Sequence, residues 1–308
     1  ATGDYYICTD ATTDANVWTN VDAGQDSIAP YSFQGSNYGY FYGSNTVTSA
    51  GIEKVNLSSD ANSTDVGDQS VSRTAYTGCS SGTHGYCCGG GSGVDIIDKL
   101  PFATEGTMSD VGNLALARAY CSGQSSETDG YVTGNTNIDK FSLSSDGNAV
   151  DWADLTDSRT GWDGTNSDTH GYHAGGHPYS DVIDKFTFAS QADATDVGNL
   201  LSAMNQNAGS CSTTYGYSMG GYTPSTLDVT QKWAYASDAN STDVGNLTVA
   251  RFCPGSCSST GFGYVGGGNL GPSHSNVIDK ASFSSDGNST DVGDMSISGG
   301  YLGLGSQY

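Results

Sequence analysis

The chain is built around a short segment in which apolar and polar residues alternate, turn, and alternate again. Its clearest copy, residues 277–294 (VIDKASFSSDGNSTDVGD), has an alternating run, an Asp-Gly turn and a second short run. Alternation with a period of two on both sides of such a turn is typical of a β-hairpin. We therefore predict a hairpin wherever this segment recurs.

The hairpin recurs along almost the whole chain. Six lysines mark the copies, and an aspartate follows each of them eleven residues later. The lysines are Lys54, Lys99, Lys140, Lys185, Lys232 and Lys280. A Gly-Tyr pair follows each of the first five aspartates by twenty residues, at Gly85-Tyr86, Gly130-Tyr131, Gly171-Tyr172, Gly216-Tyr217 and Gly263-Tyr264. A unit of this size with about four short strands is typical of one blade of a β-propeller.

The repeat spacing predicts an all-β propeller that occupies residues 1–308 as one domain. An earlier Gly39-Tyr40 pair, taken as the end of a degenerate first unit, brings the expected number of blades to seven, with six as the alternative. The expected units lie near 1–44, 45–91, 92–134, 135–176, 177–221, 222–268 and 269–308. A strand at residues 3–6 is expected to pair with the C-terminal unit and close the ring, since an open ring leaves unpaired edges.

Two repeated features resemble the kelch family of β-propellers. Its diglycine corresponds to Gly89-Gly90, Gly175-Gly176, Gly220-Gly221 and Gly266-Gly267, and its arginine to Arg73, Arg118, Arg159 and Arg251. The fourth unit departs from the pattern with Met204, and another unit has Gly134-Asn135 in place of the diglycine. The resemblance covers nearly the whole chain and implies a fold, but it carries almost no function.

The wording of the repeat, with Ile-Asp-Lys-Phe followed by Thr-Asp-Val-Gly-Asn-Leu, is also similar to repeats in virion proteins of phages that infect aquatic bacteria. This resemblance implies an extracellular or virion location and contacts with other virion subunits. It also implies a host-surface receptor or glycan as the partner.

The charge of the chain narrows the choice of partners. The formal net charge is −23, with ten basic residues in all. Such a surface repels phosphate backbones and anionic lipids, so we expect no nucleic-acid partner and no membrane insertion.

Calcium is the metal that the sequence keeps open, and no other cofactor is expected. Oxygen-bearing side chains alternate in two hairpin turns, at Asp60, Asn62 and Asp65 and again at Asp286, Asn288 and Asp291. Calcium binds six to eight oxygens, but these turns lack the bidentate glutamate that completes EF-hand loops. The alternative is that the same side chains accept backbone hydrogen bonds within the turns.

Cysteine and histidine spacings offer two further candidates. Cys253 and Cys257 are close enough in sequence for a local disulfide, and two separate buried thiols are the alternative. His170, His173 and His177 resemble a metal-binding spacing, but the period of a strand places the first two on opposite faces.

Ligand contacts are expected where the units differ from one another, in their irregular loops. Aromatic platforms for sugars and polar groups for their hydroxyls are available there, at Trp162, Asp163, Asn166, Asp168, Tyr179 and Tyr222. The alternative is that these loops are merely tolerant of variation.

Taken together, the patterns predict a non-enzymatic structural and binding module of a phage tail fibre or other virion component that contacts host glycans. It is expected to work as a homo-oligomer or as part of a larger assembly. One alternative is a structural subunit of an extracellular filament or coat. The other is a secreted carbohydrate-active enzyme, although no catalytic residues can be located.

Overall fold

A computed structural model describes residues 6–10, 17–20, 27–28, 35–43, 50–91, 93–161, 164–297 and 306–307. The chain divides into two compact units, Ala1–Ser32 and Phe33–Tyr308. In the first unit, strands β1 (Tyr6–Asp10), β2 (Val17–Asn20) and β3 (Ser27–Ile28) form one antiparallel sheet in chain order. Every regular element among the described residues is a strand, and no helix there is long and apolar enough to span a membrane.

The second unit contains six small antiparallel sheets, which we call blades 1 to 6. Blade 1 contains β4 (Tyr38–Tyr42), β5 (Gly51–Asn56) and β6 (Thr64–Asp68); blade 2 contains β7 (Thr77–Ser80), β8 (His84–Cys88), β9 (Ile96–Pro101) and β10 (Ser109–Asn113); blade 3 contains β11 (Ser122–Ser125), β12 (Asp129–Ser142) and β13 (Val150–Arg159). Blade 4 contains β14 (Gly164–Asn166), β15 (His170–Ala174), β16 (Ser180–Thr187) and β17 (Thr195–Met204); blade 5 contains β18 (Ala208–Cys211), β19 (Tyr215–Met219), β20 (Val229–Ala234) and β21 (Thr242–Asn246); blade 6 contains β22 (Gly255–Ser258), β23 (Phe262–Gly266), β24 (Val277–Ser282) and β25 (Thr290–Asp294). The C-terminal strand β26 (Ser306–Gln307) belongs to blade 1.

The first strands of the blades form a closed ring. Each of β7, β11, β14, β18 and β22 contacts the first strand of the next blade, and β26 contacts both β22 and β7. The remaining strands of each blade follow outward in order. Radially arranged sheets of this kind define a β-propeller, here with six blades.

The prediction of seven blades is wrong, and the pairing of the Gly-Tyr strand explains why. Each Gly-Tyr strand pairs with the lysine strand that follows it, so that Tyr86 lies opposite Lys99 and Tyr264 opposite Lys280. By the same pairing, Tyr40 lies opposite Lys54. Gly39-Tyr40 is thus the second strand of blade 1, and the separate first unit near 1–44 does not exist as a blade.

The ring is closed by the C-terminus. Ser306 and Gln307 of β26 pair with Tyr40 and Gly39 of β4 and supply the inner strand of blade 1. The expected closure by residues 3–6 is not observed, because Tyr6 begins β1 and pairs with Asn20 in the sheet of the first unit. Residues 3–5 lie outside the described part of the chain.

The repeated Gly-Tyr pair contributes to the interior of each blade and to its contact surface with the next blade. We call this contact surface between neighbouring blades a seam. Gly171 lies opposite Phe186, and a Cβ at this glycine would stand 2.3 Å from the phenylalanine ring. The tyrosine beside each glycine is buried between blades. Its hydroxyl reaches the next blade in three cases: Tyr40 donates to Glu105 Oε1 at 3.1 Å, and Tyr86 donates to Leu143 O and Tyr264 to Leu57 O, both at 2.9 Å. The apolar core therefore consists of a series of seams between blades.

The repeated Asp-Val-Gly segment fixes the outer part of each seam. The main chain of blade 2 passes so close to the blade 3 turn that a Cβ at Gly112 would lie 2.2 Å from Gly147 O. Equivalent close approaches recur at Gly67, Gly198, Gly245 and Gly293. Only glycine fits at such a contact, which explains why the residue recurs with the repeat.

The diglycines mark the ends of the second strands, with one shift from the sequence-based assignment. Gly175 and Gly176 have φ of 73° and 126°, a region that favours glycine. In blade 6 the residues with the matching conformation are Gly267 and Gly268, with φ of 64° and 101°. Gly266 is the last residue of β23, so the predicted pair Gly266-Gly267 is one residue too early.

Candidate functional site

The order of strands sorts the connections onto two faces of the propeller. Connections between second and third strands, and those between blades, lie at one end of the strands, which we call the upper face. The turns between first and second strands and between third and fourth strands lie on the opposite, lower face. The upper-face loops contact one another through bridges between Thr160 and His177, Asn205 and Tyr222, and Phe252 and Asn269.

The upper face is unequal around the ring. In blade 3 the loop is a tight turn around Asn135, and a hydrogen bond from Leu143 N to Thr128 O closes the base of this hairpin. Blades 5 and 6 have the longer connections 220–228 and 267–276, and blade 4 has residues 175–179. The irregular loops that contain Tyr179 and Tyr222 thus lie over blades 4 and 5, and the connection 267–276 lies over blade 6.

Three aromatic side chains form a row across these loops, which we call the aromatic strip. The rings of Tyr179 and Tyr222 are nearly parallel, with centroids 6.5 Å apart and an interplanar angle of 29°. Tyr222 also contacts Phe252, with centroids 5.1 Å apart and an angle of 56°. The Tyr179 hydroxyl donates to Thr223 O at 3.3 Å, and 46% of Tyr179 is exposed. Two predicted site residues are therefore brought together, and Phe252 joins them.

Polar groups adjoin the aromatic strip. The exposed His177 contacts the Asn205 amide, with 3.5 Å between Nδ1 and Nδ2. Asn205 Oδ1 accepts no hydrogen bond from the residues that the structure describes. Because Asn205 and its Oδ1 are buried, the accessible polar group beside the strip is the imidazole of His177.

Asn166 and Asp168 do not join the strip. Asn166 is buried in the inner strand β14, where its Oδ1 accepts the Ser125 N–H at 3.3 Å and links blades 3 and 4. Asp168 lies in the turn between β14 and β15 on the lower face, where partial burial raises the pKa of its carboxyl group. Trp162 and Asp163 fall outside the described residues.

The predicted disulfide partners lie in different places. Cys257 belongs to the apolar seam between blades 6 and 1, together with Tyr264 and Phe41. Cys253 instead packs with Ala75 near the centre of the upper face, and the two cysteines are not bonded to each other. Although Cys253 and Cys257 are close in sequence, they therefore belong to two different apolar clusters.

Buried thiols in the seams are also poor nucleophiles. Burial raises the pKa of Cys87 to about 11 and also raises that of Cys257. The thiol form therefore predominates at neutral pH, whereas nucleophilic chemistry needs the thiolate.

The six calcium candidates lie in the turns of blades 1 and 6 on the lower face, and each has a partner within the protein. Asp60 pairs with Lys280 at 2.7 Å and Asp286 with Lys232 at 2.5 Å. The other four accept backbone N–H groups: Asn62 that of Asp294, Asn288 that of Asn246, Asp65 that of Gly67 and Asp291 that of Gly293, at 3.0–3.1 Å. Within the described ranges, no three His, Cys, Asp or Glu side chains are grouped to hold a metal ion.

The histidine cluster is divided in the same way. His173 is completely buried, with its Nδ1 2.9 Å from Thr133 Oγ1, whereas His170 is the first residue of β15 at the lower face, with its Nδ1 2.8 Å from Thr169 Oγ1. Burial lowers the pKa of His173 well below its ordinary value, and the nearby Arg159 guanidinium lowers it further. Its imidazole is therefore neutral in the folded protein.

Ion pairs occupy every arginine and lysine of the chain. The four arginines pair across the seams with a buried aspartate of the next blade: Arg73 with Asp98, Arg118 with Asp139, Arg159 with Asp184 and Arg251 with Asp279. The lysines pair on the lower face: Lys54 with Glu105, Lys99 with Asp146, Lys140 with Asp129, Lys185 with Asp238, Lys232 with Asp286 and Lys280 with Asp60. Each basic residue has a different acidic partner.

Sequence reasoning missed the aspartates of the buried pairs and Phe252. The aspartates precede the repeat lysine in four units, while the other two units have Glu53 and Gln231. The unit with Gln231 follows the one with Met204 in place of arginine. The arginine and the aspartate are thus replaced together, and this pattern in the sequence indicates that the two positions are in contact. Phe252 offered a weaker signal, as the aromatic residue directly after a repeat arginine.

Comparison with protein-family models and with curated proteins gives no match to this chain.

Proposed function

We propose that this propeller is a non-enzymatic binding module that attaches a larger particle to glycans on a cell surface, with the aromatic strip as its contact site. The virion-like wording of the repeat supports a phage tail fibre or another virion component as the setting. The proposal assigns the propeller scaffold to structure and the irregular loops to recognition.

The close pairing of Tyr179 and Tyr222 is the observation that carries the proposal. Tyrosine offers a rigid ring with an apolar face and a polar tip, so a surface pair of tyrosines suits a ligand with both apolar and hydroxyl-bearing sides. A sugar has this character, since its C–H face packs on the ring and its hydroxyls bind polar groups. The exposed imidazole of His177 beside the strip supplies such a group.

The shallow position of the strip favours weak binding at each site. Few atoms of a ligand lying on two rings are removed from water, so we expect millimolar affinity for a single propeller. Several copies on one particle convert weak sites into firm attachment, because later contacts form at a high effective concentration. This argument requires an assembly but no conformational change.

Binding to cells tests the proposal. Labelled protein, displayed in several copies on a bead, is incubated with intact aquatic bacteria and their purified surface polysaccharides, in calcium and in chelator. We expect saturable binding that the double variant Tyr179→Ala, Tyr222→Ala loses by about tenfold or more, equivalent to about 1.4 kcal/mol. Tyr120→Ala is the matched control. Tyr120 is 42% exposed, and alanine is accepted in its backbone conformation, because Ala75 at the equivalent position of another blade has nearly the same φ, 57° against 56°.

The proposal fails if no cell or polysaccharide is bound, or if the double variant binds as well as the wild type. Binding that chelator abolishes would point to the calcium-candidate turns and away from the aromatic strip. Melting temperatures of all variants separate loss of binding from loss of folding.

A further inference from the structure

We infer that the ligand of the aromatic strip is a non-anionic glycan, one without carboxylate, phosphate or sulfate groups. This inference rests on the proposed function and specifies its ligand class. It follows from where the protein has placed all of its positive charge. Recognition of an anionic sugar requires an accessible cation or a set of aligned donors to offset the charge.

The arginines cannot supply that cation. Their side chains are at most 2% exposed, and each is held by an aspartate that is itself fully buried. Arg251 in addition donates to Gly267 O at 3.1 Å and Val277 O at 2.9 Å. Releasing such a group would leave a buried carboxylate without its partner, which costs about 3–5 kcal/mol.

The lysines lie on the wrong face. Each lysine lies at the lower end of its strand, where its backbone pairs with a residue next to the hairpin turn; Lys185 lies opposite Thr195, and Lys280 lies opposite Thr290. Four of the ammonium groups also lie over aromatic rings, those of Lys54, Lys140, Lys232 and Lys280; Lys280 Nζ lies 4.4 Å from the ring centroid of Phe262 and Lys232 Nζ 4.7 Å from that of Tyr215. No lysine is therefore available to a ligand at the upper face.

The formal charge that remains after these ion pairs is negative. Each of the ten lysine and arginine side chains pairs with a different carboxylate, so the formal net charge of −23, with histidines counted as neutral, comes from the other acidic side chains. Two of them, Asp181 and Asp228, belong to blades 4 and 5, which carry the strip. A ligand with acidic groups would be repelled on approach and would find no lysine or arginine on contact.

A glycan array with matched pairs tests the inference. Each pair contains a neutral oligosaccharide and the same oligosaccharide with one uronic acid, sulfate or phosphate group. We expect binding to neutral members, at least tenfold weaker binding to their acidic partners, and little change for the neutral members between low and high salt. Ion-dependent recognition would instead weaken with salt, since screening acts on charges near the surface.

The outcomes separate the two proposals. Neutral glycans that bind wild type and Tyr120→Ala but not Tyr179→Ala, Tyr222→Ala support both. Acidic glycans that bind best and lose binding in the double variant would overturn the inference while leaving the proposed site intact. Binding of either class that ignores the double variant, or no binding at all, would overturn the proposed function itself.

Discussion

Arg251 of blade 5 and Asp279 of blade 6 form an ion pair with neither side chain exposed. The same pair joins three other seams, whereas between blades 4 and 5 its positions are taken by Met204 and Gln231. There the Gln231 amide donates to Met204 Sδ at 3.5 Å and its oxygen accepts the Leu201 N–H at 2.8 Å. The same two positions are thus occupied by an ion pair at four seams and by a neutral Met–Gln pair at one seam.

We predict that this exchange can be transferred between seams. Arg251→Met alone leaves Asp279 buried without its cation and should lower the free energy of unfolding by about 3–5 kcal/mol. Adding Asp279→Gln should recover at least half of that loss, because no buried charge remains. Denaturant unfolding of the two single variants and the double variant measures the coupling. A double variant whose loss equals the sum of the single losses would show that the two side chains are not coupled.

The lysine pairs should matter much less. Lys280 and Asp60 lie 2.7 Å apart, but more than half of the Asp60 side chain is exposed. Exposed pairs contribute about 0–1 kcal/mol, so Lys280→Met, which keeps an apolar stem over Phe262, should cost less than about 1 kcal/mol. The same denaturant measurement on this variant gives the comparison. A loss as large as that of Arg251→Met would mean that the lower-face pairs also determine stability.

His173 should make the protein sensitive to acid. Its pKa is lowered in the folded state, so below about pH 6.5 the unfolded chain binds a proton that the folded chain does not. Stability therefore falls as pH falls. His173→Val, with the side chain found at the equivalent positions Val132 and Val265, should remove this contribution, so its free energy of unfolding should fall less than that of the wild type between about pH 7.5 and about pH 5.

The measurement for His173 is the free energy of unfolding of both proteins across this pH range. Contributions from the other titrating groups cancel in the difference between variant and wild type. Parallel curves would show that His173 takes up its proton equally in the folded protein.

The close approach of neighbouring blades predicts a sharp response to one methyl group. Gly112→Ala places a Cβ 2.2 Å from Gly147 O, a backbone atom that cannot turn away, and should cost about 1–3 kcal/mol. Gly82→Ala is the control, because a Cβ there meets nothing within 4 Å. Thermal unfolding of both variants checks the difference. Equal stability would show that the seams yield more easily than their geometry indicates.

The sequence was sufficient to predict the strands of the repeated hairpin but not the number of blades. Alternation and the turn residues decide a hairpin locally, and the Lys280 strand pairs as expected with the strand of Asp291. Spacing alone did not say whether a Gly-Tyr strand joins the hairpin before it or after it. That choice depends on contacts between neighbouring strands, and it turned Gly39-Tyr40 from a seventh unit into part of blade 1.

Only part of the candidate site could be predicted from the sequence, because its residues come together through contacts between blades. Tyr179 and Tyr222 lie in irregular loops, and two such loops over neighbouring blades meet once the ring is formed. Asn166 was chosen from the sequence as a polar residue, yet its position in the inner strand buries it. Whether a residue lies on the inner strand follows from the ring, which no local pattern describes.

The central claim, that ligands bind at the aromatic strip, is tested most directly by NMR of the protein with isotope-labelled tyrosine rings. The ring signals are followed as a neutral oligosaccharide from the array is added at up to millimolar concentration. We predict saturable shifts for Tyr179 and Tyr222 and unchanged signals for Tyr120. Shifts confined to other tyrosines, or no shifts with a glycan that binds, would contradict it.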